Sequence, residues 1–113
     1  MNYDLEERTA KFGEDVIDFV RILERSEINR PLISQVIRSS TSVGANYMEA
    51  NEASSRKDFR NKISICRKES NETKHWLRMI ARANMPKSDK CKILWKEAHE
   101  LTLIFSKIVH STD

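Results

Sequence analysis

Residues 56–84, RKDFRNKISICRKESNETKHWLRMIARAN, decide the fold. Phe59, Ile63, Cys66, Ser70, Thr73, Leu77 and Ile80 recur at alternating steps of four and three, which places them on one face of an α-helix. Ser55 precedes the run as an N-cap, and Asp58 puts a negative charge in the first turn, where the helix dipole is positive. Asn84-Met85-Pro86 ends it, so the spacing predicts a helix over 56–84. A second apolar stripe, Ile65, Glu72, Trp76, Met79 and Ala83, lies roughly 120–140° around the same helix. A wide core face with Trp76 at its edge would explain it. Contact with another copy of the chain explains it better, because monomers tend to avoid large exposed apolar patches.

Working outward, the same periodicity predicts three more helices, over 4–25, 31–53 and 88–110. In the first, Leu5, Thr9, Phe12, Val16, Phe19 and Leu23 form a heptad seam, and Asp4 with Glu7 makes a capping pair. The second starts near Pro31, which lacks only an N–H that would be unpaired there. Its apolar positions are Ile33, Val36, Ile37, Val43, Tyr47 and Ala50. Ser39-Ser40-Thr41-Ser42 could pass for a loop, but the period continues through it. Gly44 costs ~1 kcal/mol relative to Ala in a helix, and close approach of a neighbouring helix would offset that cost. The fourth helix carries Cys91, Leu94, Trp95, Ala98, Leu101, Phe105 and Ile108 on its seam, with Leu103 and Ile104 beside it. Short connections make consecutive helices antiparallel neighbours. The expected fold is all-α, a single up-down-up-down four-helix bundle spanning 1–113.

Composition agrees. Of 113 residues only two are Gly and two Pro, too few turn formers for a sheet protein. No apolar run approaches the ~20 residues of a transmembrane helix. The start, Met1-Asn2-Tyr3-Asp4-Leu5-Glu6-Glu7, is acidic and lacks the apolar core of a signal peptide, so a cytoplasmic location is expected. Cys66 and Cys91 both fall on apolar faces, as buried free thiols do.

Gln35, Arg38, Ser42, Asn46 and Glu49 form a polar stripe on helix two, within an arc of roughly 80°. From pattern alone it reads as a solvated face. Yet Gln35-x-x-Arg38, Ser42, Asn46-Tyr47-Met48-Glu49-Ala50-Asn51 and Arg56-Lys57-Asp58-Phe59, continuing through Ile63-Ser64-Ile65-Cys66 to Glu72, resemble the 23S rRNA intervening-sequence proteins. The chain departs from that pattern at Ala50, where the family often has Gly, and at Lys68-Glu69, where Gly-Ser is frequent. The resemblance implies a bacterial-type antiparallel bundle assembled as a homopentameric ring. It also implies a possible association with RNA. Some members are encoded within insertions in large-subunit rRNA genes. A similar group serves as accessory subunits of diversity-generating retroelements, alongside a reverse transcriptase. It further implies that Asn46, Glu49 and Glu72 are structural polar groups at helix or subunit contacts, with Arg38 the local partner for a carboxylate.

The charge is segregated. Residues 56–84 hold nine basic and three acidic side chains, a net +6, whereas residues 4–25 net −3. Arg56, Arg60, Arg67, Lys74 and Arg78 share one face of helix three, with Lys57 adjacent. Such a row can track phosphates without reading sequence. A salt-bridged surface would give the same pattern. No base-reading module is evident. Glu72-Thr73-Lys74-His75 supplies one Glu-x-x-His, but a di-iron bundle needs two, and two separated cysteines with three scattered histidines do not make a zinc site. Neither a phosphate-binding Gly-rich loop nor a nucleophile–base pair is present. The expectation is a non-enzymatic homo-oligomer without metal or cofactor that binds RNA or DNA. The alternative is a scaffold or accessory subunit whose partner is another protein.

Overall fold

The computed structural model describes residues 4–112, so residues 1–3 of the acidic start and residue 113 lie outside the described residues. Four helices follow in order: α1 (Leu5–Val20), α2 (Asn29–Asn51), α3 (Arg56–Ala83) and α4 (Ser88–Ser111), with a 3₁₀ turn at Met85–Lys87 before α4. No strand occurs among the described residues. Each helix packs on the next in the chain, and α1 also touches α4. The body measures 44 × 22 × 20 Å. At 1.5 Å per residue the 28 residues of α3 span about 42 Å, so α3 runs its full length.

The heptad seams converge on one core. Phe12, Val16, Val36, Val43, Ile63, Leu77, Ile80, Leu101 and Phe105 are all buried within it. Small hydroxyls share the space where helices come close, and each finds a partner. The Thr73 and Ser39 hydroxyls meet at 2.8 Å, and Thr73 Oγ1 lies 2.8 Å from the Glu69 carbonyl. Ser70 meets Thr102 at 2.9 Å. Among the described residues no buried side-chain polar atom lacks a hydrogen bond, as a low-dielectric interior requires. Cys66 and Cys91 are buried free thiols. Burial pushes them up to about 12 and about 11 respectively, so neither is a ready nucleophile.

Residues 39–44 are helical, and the close approach expected at Gly44 is present. A Cβ there would sit 3.4 Å from Thr9 Oγ1 and 3.5 Å from the Thr9 carbonyl carbon and oxygen. Gly13 faces Thr41 in the same way. At both glycines α1 and α2 pass within van der Waals distance of each other.

The boundaries differ from expectation chiefly at the end of helix one and at both ends of helix two. Helix one was expected to reach Arg25 but α1 stops at Val20. The chain then tightens, with Ile22 N–H donating to the Phe19 carbonyl and Leu23 N–H to the Val20 carbonyl. Arg25 Nη1 donates to the carbonyls of Val20 and Leu23. This tight turn keeps Leu23 over the core, which is why the period seemed to continue. Helix two starts at Asn29 rather than Pro31 and ends at Asn51 rather than 53. Asn29 is buried, and its amide pairs reciprocally with that of Asn84 at 2.9 Å both ways, tying the α1–α2 turn to the end of α3. The remaining differences are of one residue each: α1 starts at Leu5 rather than 4, α3 ends at Ala83 rather than 84, and α4 continues to Ser111 rather than 110. The expected caps are in place, with Asp4 accepting from Glu7 N–H and Ser55 from Asp58 N–H.

Candidate nucleic-acid interface

The two flanks of α3 differ in chemistry. On the α2 side lies a ladder of opposite charges. Arg38 reaches across to Glu69 at 3.2 Å and pairs with Glu72. Its Nε donates to Gln35 Oε1 at 3.0 Å. Trp76 Nε1 donates to the same Glu72 carboxylate at 2.8 Å. Further along, Lys62 Nζ meets Glu49 at 2.7 Å, which raises the lysine's pKa. Between these pairs Asn46 Nδ2 donates to the Ser42 carbonyl and hydroxyl.

The polar stripe of helix two is only in part the solvated face its pattern suggested: Arg38 and Glu49 stay exposed while pairing with α3. Its charges are neutralised against α3, with Gln35, Ser42 and Asn46 half-buried. Sequence spacing shows which residues share a face but not which neighbour covers it. The second stripe of α3 also lies on this flank. Ile65, Trp76 and Met79 are half-buried in the single chain, and Trp76 packs against the core. Less of this stripe faces water than the helical wheel implied, because α2 and the Glu72 hydrogen bond already cover part of it.

On the α4 side of α3, Lys74 meets His99 and Trp95, Arg78 lines a cavity with Cys91 and Lys92, and Arg67 lies near Thr102. Arg56 and Lys57 are exposed at the start of the helix, Arg60 follows one turn later, and Arg67, Lys74 and Arg78 continue the row. Arg56, Lys57, Arg67 and Arg78 make no ion pair with any described residue. Lys74 is held instead. Its ammonium lies 3.0 Å from His99 Nδ1 and 5.2 Å from the centroid of the Trp95 ring. His99 stacks on Trp95 with ring centroids 5.1 Å apart and planes 17° from parallel. Because an ammonium only donates, Nδ1 accepts and the ring proton sits on Nε2.

Trp95 was expected on the core seam but is 37% exposed. It stands at the rim of α4, beside the basic row. Sequence reasoning missed this cluster. Its signal was the Trp95-x-x-x-His99 spacing, one helical turn, which stacks two rings on one face.

His75, the only histidine in Glu-x-x-His spacing, is exposed and sits edge-on to Trp76. Glu72 is occupied by Arg38 and Trp76. Among the described residues no three His, Cys, Asp or Glu side chains gather as a metal site, and no helix is long and apolar enough to cross a membrane.

The family model for 23S rRNA-intervening sequence proteins matches residues 1–107. The chain belongs to that family. A solved structure with the same fold is that of a protein of unknown function from the S23 ribosomal protein family of Bacteroides thetaiotaomicron. It is 29% identical to this intervening-sequence protein, with a TM-score of 0.80 over 92% of this chain and 96% of the other. Among curated proteins, none matches. In this intervening-sequence protein the polar stripe of α2 meets one flank of α3 through Arg38–Glu72 and Lys62–Glu49, and Lys74 of the basic row meets α4 on the other.

Proposed function

We propose that this chain is a non-enzymatic subunit of a cytoplasmic homo-oligomer that holds RNA or DNA by its phosphates along the α4 side of α3. One observation carries the reading. Glu69 and Glu72 of α3 share Arg38 on the α2 flank, whereas Arg56, Lys57, Arg67 and Arg78 have no ion pair among the described residues. A row of uncompensated cations binds a polyanion by displacing its counterions, which gives affinity without sequence preference. Repeating the row in every copy would multiply the effect.

The oligomer is proposed on separate grounds. Ile28, Met48, Met85, Ile93 and Leu103 are large apolar side chains that the single chain leaves exposed, and Ile65, Trp76 and Met79 are only half-covered. Five copies is the number that the family resemblance implies. The antiparallel up-down-up-down course is part of the same proposal. It is supported by the contacts Thr9–Gly44 with Gly13–Thr41, and by Arg38–Glu72 with Glu49–Lys62.

The exposed apolar residues also favour a second reading, in which the ring is a scaffold or accessory subunit for another protein, such as a reverse transcriptase. The deciding experiment compares the wild type with Arg56→Gln/Arg67→Gln/Arg78→Gln on generic RNA at low salt. The first reading expects tight binding by the wild type and at least a tenfold loss in the variant, with helix content unchanged. Wild-type protein that ignores nucleic acid yet captures one specific polypeptide would establish the second.

A further inference from the structure

Beside Trp95 is a cavity of about 260 Å³ between α3 and α4, lined by Leu77, Arg78, Ala81, Cys91, Lys92 and Trp95. Its α4 residues Cys91 and Lys92 lie one turn before Trp95, and His99 lies one turn after. The indole stacks on His99 and also lines the cavity. Lys74, hydrogen-bonded to His99, fixes the imidazole behind the indole. The arrangement is a braced aromatic wall opening onto a small, largely apolar space.

The charges at that space have one sign. Among the described residues the charged ones that line it are Arg78 and Lys92, and Lys74 is a turn away on α3. No carboxylate lines it among the described residues. An occupant should therefore be flat and apolar where it meets Trp95, and anionic where it meets the cations. Its size is below the roughly 300–1,000 Å³ of sites for drug-sized ligands, which suits one ring rather than a larger molecule. Cation-flanked aromatic faces of this kind hold the bases of single strands, because every base has a π-face and every linkage a phosphate. A base paired inside a duplex has both faces covered and cannot reach the wall.

We propose that Trp95, braced by His99 and Lys74, is a stacking platform for an unpaired base of a single-stranded nucleic acid, with Arg78 and Lys92 on the flanking phosphates. This rests on the phosphate-binding reading above and deepens it. It assigns the α3–α4 groove a preference for single strands that a plain row of cations would lack.

The test is a fluorescence titration with three probes: a single-stranded oligothymidylate, a duplex of equal length and inorganic polyphosphate. The single strand should quench indole emission, and the quenching should vanish in Trp95→Ala. Polyphosphate should leave the emission unchanged. Trp95→Ala should lose roughly 5- to 150-fold in single-strand affinity, the range of one base–aromatic stack, while its duplex affinity changes less than about twofold. Trp95→Phe keeps an aromatic face and should retain most of the binding, which separates lost stacking from lost folding. Duplex binding with no quenching by the single strand, or equal losses on both nucleic acids, would overturn the platform and leave the phosphate reading standing. Failure of both nucleic acids to bind would overturn both.

Discussion

Gly44 allows the helix packing to be tested by the sign of an effect. Its backbone is right-handed helix, with no positive φ at any described residue, so a side chain causes no strain of its own. In Gly44→Ala the new Cβ would lie 3.4 Å from Thr9 Oγ1 and 3.5 Å from the Thr9 carbonyl carbon and oxygen. Those are ordinary van der Waals distances, so the methyl group fits. Removing a helical glycine recovers up to ~1 kcal/mol, and the midpoint of thermal unfolding should rise by roughly 3–6 °C. Gly44→Val adds two γ carbons about 1.5 Å further out. The β-branch has one favoured rotamer in a helix, and Thr9 presents backbone that cannot rotate away. Overpacking of this kind costs ~1–3 kcal/mol, which outweighs the gain in propensity, so the midpoint should fall below wild type. Far-ultraviolet circular dichroism melts of the three proteins at one concentration measure both shifts. If Gly44→Val melts at or above the wild type, α1 and α2 do not meet here and the reasoning fails.

Three further predictions concern the rest of the molecule. Arg38→Met leaves Glu69, whose side chain is only 12% exposed, facing Glu72 without a cation. Discounted because Arg38 is 46% exposed, the loss should be about 1–2 kcal/mol in urea unfolding, and adding Glu69→Gln should recover part of it. Cys66 and Cys91 titrate at about 12 and about 11 when folded but near 9 when unfolded. Above pH 9 the unfolded chain holds fewer protons, so stability should fall as pH rises toward 11, each thiol adding about 1.4 kcal/mol per pH unit to the slope. Urea midpoints across that window should decline more gently in Cys91→Ala. In solution the mass should exceed one chain, and Trp76→Glu should lower it without loss of helix content; a monomeric wild type by light scattering would contradict the oligomer.

The sequence foretold the helices because burial on one face leaves a period, and α3 states it over seven positions from Phe59 to Ile80. It foretold the close approach at Gly44 because a glycine inside an apolar period needs a packing reason. Two kinds of fact were not legible. One is the length of a helix whose final turn tightens: Leu23 is buried whether residues 21–23 are α-helical or not, so periodicity overran Val20. The other is which neighbour a polar face meets. Arg38 and Glu72 are 34 residues apart, and only the packing of α2 on α3 joins them. The same limit hid the cluster of Trp95, His99 and Lys74, whose members come from two helices. The family motif named the residues of the Arg38 ladder but not the flank it occupies, which is away from Arg67 and Arg78 and leaves those two without an ion pair among the described residues.

That separation of charge is tested most directly by the salt dependence of binding. The dissociation constant for a short generic duplex is measured across a series of salt concentrations, for the wild type and for Arg56→Gln/Arg67→Gln/Arg78→Gln. Each phosphate contact contributes about 0.9 to the logarithmic slope, so the wild type should weaken steeply with salt and the variant's slope should be shallower by roughly 2–3. Binding that is indifferent to salt, or equal slopes for the two proteins, would contradict a phosphate-tracking flank on α3.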